Sequence, residues 1–532
     1  MRQGSWKHSS PTANQLISTQ FHPPRKYHPH TTHHCLCSMF NAIPCYRNYY
    51  MGCSYEANLK QYLLSTKATP RYYGTVYDCY IPPPKFGYIR ASPLPIKVDI
   101  PDNAKDVDTT PEEFDPFKTR HLEHPVSSGG TLTHLLKSSL GTGILSMPAA
   151  FKASGLWMGV FATILVSIIC TYCAYNLVIC AHVLYKKAGK TTMTYAEVAE
   201  EACLRGPSWS RKYGFVAKQI VLWGIFVTYF ATGSCYAVIV AENFNYVAFN
   251  YIGTYDKRIS VALLFLPFLC IAYVPNLKSL APVSMVANVC MTVGLGITGY
   301  YLLTDIPSLS ERPAVANFTS LPICISIVIF AIEAIGVVMP LENNMKSPQK
   351  FVGIFGVLNQ GMTFVTIIYV MLGFLGYLKY GEATADSITL NLPKEEYAAQ
   401  AVNLLIGLSV FFTYGLVFYV CLDIFWNEVK HRYASKEKLA NYALRTVLVM
   451  INIIIAVLVP EIVPFVSLIG AFCFSILGLM CPVVIEILVF WDDGFGRFNW
   501  KLGKHVVIVF MAGLACVFGS KSAIAGIVKT FQ

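Results

Sequence analysis

Charge is what this sequence has least of. Only 13% of its 532 residues are Asp, Glu, Lys or Arg, against about 25% in a soluble protein. Apolar residues make up 54% and aromatics 14%, and the mean hydropathy is +0.48. A soluble enzyme, a collagen and a mainly disordered chain are excluded, and most of the chain is predicted to lie in lipid. Also missing, in and between the apolar blocks, is any metal-ligand cluster or nucleophile–base arrangement, so no enzyme activity and no cofactor are expected. His33, His34, Cys35 and Cys37 have no second ligand pair at zinc spacing, and no metal site is assigned. Twelve of the 17 cysteines are scattered through apolar runs, where a thiol behaves as a small hydrophobe.

The net charge of +11 does not form a nucleic-acid surface. Residues 1–98 hold 11 Lys/Arg against 2 Asp/Glu, 99–125 hold 3 against 8, and 126–532 hold 27 against 20. No basic patch with interleaved stacking motifs stands out, and no nucleic-acid partner is expected.

The chain divides near residue 126. Upstream are 15 of the 29 prolines, eight of the 12 histidines and no apolar run able to cross a bilayer. The first 30 residues lack the apolar core of about 7–15 residues that a signal peptide needs. Residues 1–125 therefore read as a disordered cytosolic tail that docks, if anywhere, near its acidic end from Asp99 to Glu123. Its Tyr/Pro-rich stretches, such as Tyr80 to Pro84, would suit a cytosolic signalling partner; a solvated tail is the blander alternative.

Downstream, eleven apolar blocks reach the roughly 20 residues that a membrane helix requires. They are 131–151, 157–184, 214–244, 259–275, 280–304, 320–341, 351–378, 399–427, 440–459, 462–490 and 504–527. The weakest is 259–275, which is short and contains Pro267. The loops after even-numbered blocks carry seventeen Lys/Arg, the loops after odd-numbered blocks six. This bias puts the even loops and the amino terminus in the cytosol and the carboxyl terminus outside or in a lumen. The sequon Asn317-Phe-Thr319 falls in the loop after block 5, on the outer side, and predicts glycosylation of Asn317.

Lipid cannot solvate free backbone groups, so an interrupted helix persists only where it lines a cavity. Block 1 has Gly141-Thr142-Gly143 near its middle and Pro148 beyond. Block 6 has Gly336 mid-span, with Glu333 one turn before and Pro340 one turn after. Interruptions at matching places in two sets of five predict an all-α membrane fold with a 5+5 inverted repeat and a substrate held between the breaks. The competing reading is that these glycines only let helices pack closely. Intramembrane ionisable groups point to the same place. His134, Ser138 and Gly141 fall at i, i+4 and i+7, on one face expected to look into the bundle. His134 and Glu333 are the candidates for carrying a proton, unless each serves only to bridge helices. Glu342, Asp423, Glu428 and Glu486 lie nearer the predicted interfaces, as anchors or gates. Ser138, Gly141, Thr142, Gly143 and Gly336 are the candidate substrate-binding positions, with Tyr229 and Tyr414 facing them from blocks 3 and 8.

Several longer motifs carry a resemblance. Asp115-Pro-Phe-Lys118, Thr133-His-Leu-Leu-Lys137, Gly141-Thr-Gly143 and Met147-Pro-Ala149 resemble the opening of the proton-coupled amino acid transporters of the amino acid/auxin permease group, closest to its insect members. Phe330 through Asn344 and Phe411 through Tyr419 are similar to that family's sixth and eighth helices, and Ser387 through Pro393 to its outer loop before helix 8. The resemblance runs from about residue 112 to the end. It implies eleven helices in a LeuT-like arrangement and proton-coupled symport of small neutral amino acids by alternating access. It makes His134 the pH-sensing residue and Gly141–Gly143 the seat of the substrate carboxylate. Some relatives carry a cysteine just after Asn-Leu-Pro, paired with one on helix 3. Here Lys394-Glu395-Glu396 follow Pro393, leaving Cys235 without an evident outer partner. A pH-independent facilitative carrier and an amino acid-sensing transceptor share the same sequence features. Plasma membrane and lysosomal membrane fit equally well.

Overall fold

The computed structural model describes residues 114–122, 125–253, 256–275, 277–332, 334–433, 436–494, 500–529 and 531. The His33–Cys37 group, the Tyr80–Pro84 stretch and Glu333 lie outside the described residues. All the described residues belong to one compact unit.

The unit is all helix. The first apolar block is not one rod. α1 (Ser128–Ser139) is followed by a tight 3₁₀ turn over Thr142–Ser146 and then by α2 (Met147–Ser154). Ser127 caps α1 by accepting from the Gly130 amide, and Pro148 stands in the first turn of α2, where its missing N–H costs nothing. α3 (Leu156–Ala188) ends on Gly189, which takes the left-handed conformation at φ 65°. α4 (Tyr195–Arg205) is a short helix outside the blocks, started by a capping box of Thr194 and Glu197. α5 (Gly214–Ile252) is the longest helix among the described residues.

The fourth block breaks in two, α6 (Lys257–Leu263) and α7 (Phe265–Ala272). Pro267 explains the break: it cannot donate to the Leu263 carbonyl, and its ring crowds that carbonyl. α8 (Leu277–Leu303) follows. The sixth block is again two pieces, α9 (Leu321–Ile332) and α10 (Ile335–Asn343). The remaining helices are α11 (Val357–Tyr380), α12 (Tyr397–Val429), α13 (Glu437–Leu458), α14 (Ile462–Val489) and α15 (Trp500–Lys529). α14 and α15 contain stretches of wider π-type turns over Ile469–Met480 and Ala515–Gly519.

Among the described residues, nine helices are long and apolar enough to cross a membrane. The first and fourth blocks are the segmented ones that fall short. α3 leaves Trp157, Phe161, Ile164 and Ile168 exposed on one face. That stripe suits contact with lipid chains and would be untenable in water. The broken helices sit inside: α2 and α9 pack together, flanked by α3, α11 and α14.

Residues 114–122, within the stretch where docking was expected, pack on the helices through Arg120 and Phe117, a cation and an aromatic. Arg120 reaches buried acceptors, which an acidic side chain could not satisfy.

The loops sort to two ends. Ala316 donates to the Ser154 carbonyl, Arg312 to those of Leu378 and Lys379, and Lys152 to those of Glu382 and Thr384. Loops after odd-numbered blocks therefore share one end. At the other, Arg120 donates to the Thr191 carbonyl, Asn343 to that of Met193, and Lys346 to that of Val126.

Candidate functional site

The two interruptions meet. A Cβ at Gly143 would lie 2.5 Å from the Ala331 Cα and 2.8 Å from its Cβ, so only glycine lets the turn of the first block touch the end of α9. Leu140 leaves helical geometry at φ −78°, ψ 58°, and Gly141 is extended at ψ −159°. Backbone groups on both sides of the gap lose their helical partners there. Tyr369 of α11 covers two of them. Its hydroxyl lies within hydrogen-bond distance of the Ser139 carbonyl at the end of α1 and, at 3.0 Å, of the Ala331 carbonyl in the last turn of α9. It has one proton for two acceptors, so it donates to one at a time. Nothing in the sequence flags this tyrosine; it stands among apolar neighbours in block 7, and only the folded chain brings it to the breaks.

Oγ of Ser139, at the end of α1, accepts or donates no hydrogen bond among the described residues, nor do the buried Tyr414 hydroxyl and Nδ2 of Asn452 beside α5. Unmet polar atoms in a dry interior cost roughly 1–3 kcal/mol each, a cost that a polar ligand would relieve. Asn452 and Tyr414 belong to one group, since a Cβ at Gly233 would stand 2.7 Å from Asn452 Oδ1 and 3.3 Å from the Tyr414 ring.

The predicted residues distribute as follows. Thr142 and Gly143 are buried in the turn and Gly141 half-buried at its start. Gly336, in the first turn of α10, lies under Tyr229 of α5, whose Cε2 a Cβ there would approach to 2.9 Å. This pair joins the α9–α10 break to α5. Tyr414 is buried, its ring 4.3 Å from that of Phe268 and 5.7 Å from that of Phe418. His134 and Ser138 are exposed, and the Ser138 hydroxyl donates to the His134 carbonyl of its own helix at 2.9 Å. The face expected to look into the bundle is therefore not the packed one. Thr131, Leu135 and Ser139 form the buried stripe of α1, because Gly361 lets α11 close to within 2.6 Å of Leu135 as measured from a Cβ built there. Asn317 is exposed at the odd-loop end, its side chain accepting from the Thr319 amide at 3.1 Å. Cys235 is buried and free.

Two charged sites stand at the ends of the unit; the sequence named Glu342 as an anchor or gate without its partners and did not single out the other site. At the even-loop end, Glu342 is wholly buried. Its Oε1 accepts from Arg120 at 3.2 Å and lies 3.0 Å from His182 Nε2, and its Oε2 accepts from the Tyr185 hydroxyl at 2.8 Å. At the odd-loop end, Lys257 reaches Glu242 at 3.0 Å and Glu461 at 3.3 Å. Near them Asp386 accepts from the Val463 amide at 3.1 Å, and burial pushes its carboxyl above the usual range. Hydropathy reading cannot pair Arg120 with Glu342 or Lys257 with Glu461, which lie more than 200 positions apart.

Residues 124–525 match the family described as transmembrane amino acid transporter protein. The chain is 56% identical over 421 residues to the proton-coupled amino acid transporter-like protein pathetic of Drosophila melanogaster, covering 79% of this chain and 89% of that one. It is 24% identical over 439 residues to the probable amino acid transporter skat-1 of Caenorhabditis elegans, covering 77% and 94%. Among solved structures, the inward-facing conformation of Mhp1 is similar at 12% identity, with a TM-score of 0.49 over 76% of this chain and 92% of that one. MhsT in complex with L-phenylalanine is similar at 13% identity, with a TM-score of 0.39 over 76% and 100%.

Proposed function

The chain belongs to the transmembrane amino acid transporter family, and from that premise we propose that this multi-pass membrane transporter carries small neutral amino acids together with protons by alternating access. The observation that carries the reading is the meeting of the two broken helices at Gly143 and Ala331, with the buried Oγ of Ser139 at the end of α1 left without a partner among the described residues. The relative named as proton-coupled supports the choice of ion. The topology that goes with it has eleven spans in two inverted sets of five, the amino terminus in the cytosol and the carboxyl terminus outside or in a lumen.

The chemistry follows from the gap. Amides freed at Gly141–Gly143 and the positive end of the turn attract the substrate carboxylate. Carbonyls freed between α9 and α10, with Glu333, take the ammonium. Ser138 and Thr142 offer hydroxyls, and Gly336, Tyr229 and Tyr414 bound the side-chain space. A backbone-lined gap closed by tyrosines holds alanine, glycine or proline better than tryptophan. His134, which is exposed, exchanges the proton with the cytosol, and Glu333 is the second proton carrier. One pH unit supplies about 1.4 kcal/mol per proton and 100 mV about 2.3 kcal/mol. Together these sustain an accumulation of several hundredfold for one proton per zwitterion.

The test is two-electrode recording in oocytes, with each amino acid applied in acidic and in neutral medium. Inward current that rises with acidity and favours small substrates supports the reading. Flux indifferent to pH and voltage would establish a facilitative carrier instead.

A further inference from the structure

Glu242 stands near the odd-loop end of α5 with its side chain 6% exposed. One oxygen, Oε1, is paired with Lys257. The other, Oε2, is buried and accepts no hydrogen bond from any described residue. A carboxylate oxygen left dry and unmatched is costly when ionised and comfortable when protonated.

Its surroundings sharpen this. Lys257 of α6, Asp386 of the loop before α12 and Glu461 of the turn before α14 all act on Glu242. Cys235 lies about two turns away on the same helix and Lys152 of α2 acts on Asp386. Glu396, just before α12, accepts from the Tyr301 hydroxyl. Two carboxylates, Glu242 and Glu461, thus share one lysine, with Asp386 close by. Lys257 is 48% exposed and Glu461 33% exposed, so water reaches the lysine while Glu242 stays inside. Glu461 already offers Lys257 both oxygens, at 3.3 and 3.4 Å.

The site is wired to the interruption. Asn243, next to Glu242 in the chain, accepts from the Thr389 hydroxyl at 3.0 Å, and Asn403 of α12 donates to the Thr389 carbonyl at 3.0 Å. Thr389 and Ile388 are fully buried in the short turn Ile388–Asn391. Ile388 and Pro148 of α2 both crowd Gly376 of α11, at 3.2 and 2.5 Å from a Cβ placed there. Asp386, two residues before that turn, meets the first turn of α14 through the Val463 amide.

We propose that Glu242 is the entry site for the driving proton from the odd-loop side, binding it on Oε2 while Lys257 passes from Glu242 to Glu461. The ionised site ties α5, α6 and α14 through one lysine; the protonated site releases α5 from that tie, beside the turn that packs on α2. This rests on the proton-symport reading and adds the place where the proton binds first.

The experiment uses the full chain in liposomes, following labelled alanine uptake and, with a trapped pH dye, proton influx. Wild-type uptake without proton influx would reject the symport reading itself. With influx present in the wild type, Glu242→Gln, checked for folding by size-exclusion in detergent, is expected to lose alanine-dependent proton influx and the response of uptake to external pH. Retention of both would overturn the assignment of Glu242 alone. Lys257→Gln decides the matter if Glu242→Gln does not fold. Without the lysine the pairing that holds Glu242 ionised is gone, so the midpoint of acid activation of uptake is expected to move to higher pH. An unmoved midpoint would overturn the proposal.

Discussion

Two buried carboxylates at opposite ends of the helical unit have opposite surroundings. Glu342 has both oxygens matched, by Arg120, His182 and Tyr185, and the Arg120 guanidinium is itself only 3% exposed. Glu242 has one oxygen paired with a half-exposed lysine and the other with nothing among the described residues. A fully matched buried ion pair is expensive to break; a half-matched one has less to lose. The first holds the start of the unit onto the ends of α3 and α10. The second has the features of a site that changes charge during work.

Mutations test that contrast. The largest effect is expected at Glu342. Glu342→Ala strands the Arg120 charge in the interior, which costs about 3–5 kcal/mol and should appear as a large fall in melting temperature in detergent. A melting temperature like the wild type's would mean that the even-loop end is not locked by this cluster.

Between the two ends lies the contact of the breaks. Gly143→Ala pushes a methyl against the Ala331 backbone, an overpacking worth about 1–3 kcal/mol. Transport should fall further than stability does, because the gap itself is distorted. Normal alanine uptake by this variant would show that Gly143 is not at the working contact.

Glu242→Gln gives the sharpest comparison with Glu342. Its partner is half exposed, so the lost pair is worth about 0–1 kcal/mol, and the neutral amide relieves a dry oxygen. The melting temperature should stay near the wild type's or rise. A collapse as deep as that of Glu342→Ala would erase the distinction between the two ends.

Glu201 supplies the smallest effect and a control for surface charge. Burial tends to raise its carboxyl, but hydrogen bonds from Lys190 and Arg205, and their charges, win and hold it below the usual range. A depressed carboxyl contributes stability above its unfolded value, near pH 4.5, and loses it as the pH falls through the lower folded value. Because both partners are more than a third exposed, Glu201→Gln should cost less than about 1 kcal/mol. That difference should shrink as the pH falls below the unfolded value and through the lower folded one, as melting curves at a series of pH values would reveal.

The architecture was legible because lipid reduces the alternatives. Runs of about 20 apolar residues must be helices that satisfy their own backbone, and nine such helices are present among the described residues. The interruptions were legible too. Gly141-Thr142-Gly143 with Pro148, Gly336 with Pro340, and Pro267 each carry a local backbone reason, and each block breaks at or beside those residues. The facing of α1 was not legible. Its spacing put His134 and Ser138 on one stripe correctly, but which stripe is packed depends on Gly361, more than 200 residues away.

Composition and periodicity, acting over one or two turns, were enough to fix helix, membrane and break, because each depends on a residue's immediate neighbours. Which carboxylate is matched, which tyrosine spans the breaks and which lysine is shared belong to pairs far apart in the chain. Arg120 with Glu342, Tyr369 with Ser139 and Lys257 with Glu461 are contacts that only the packed bundle decides. Burial and hydrogen bonding are properties of where a side chain ends up, and no local pattern carries that information.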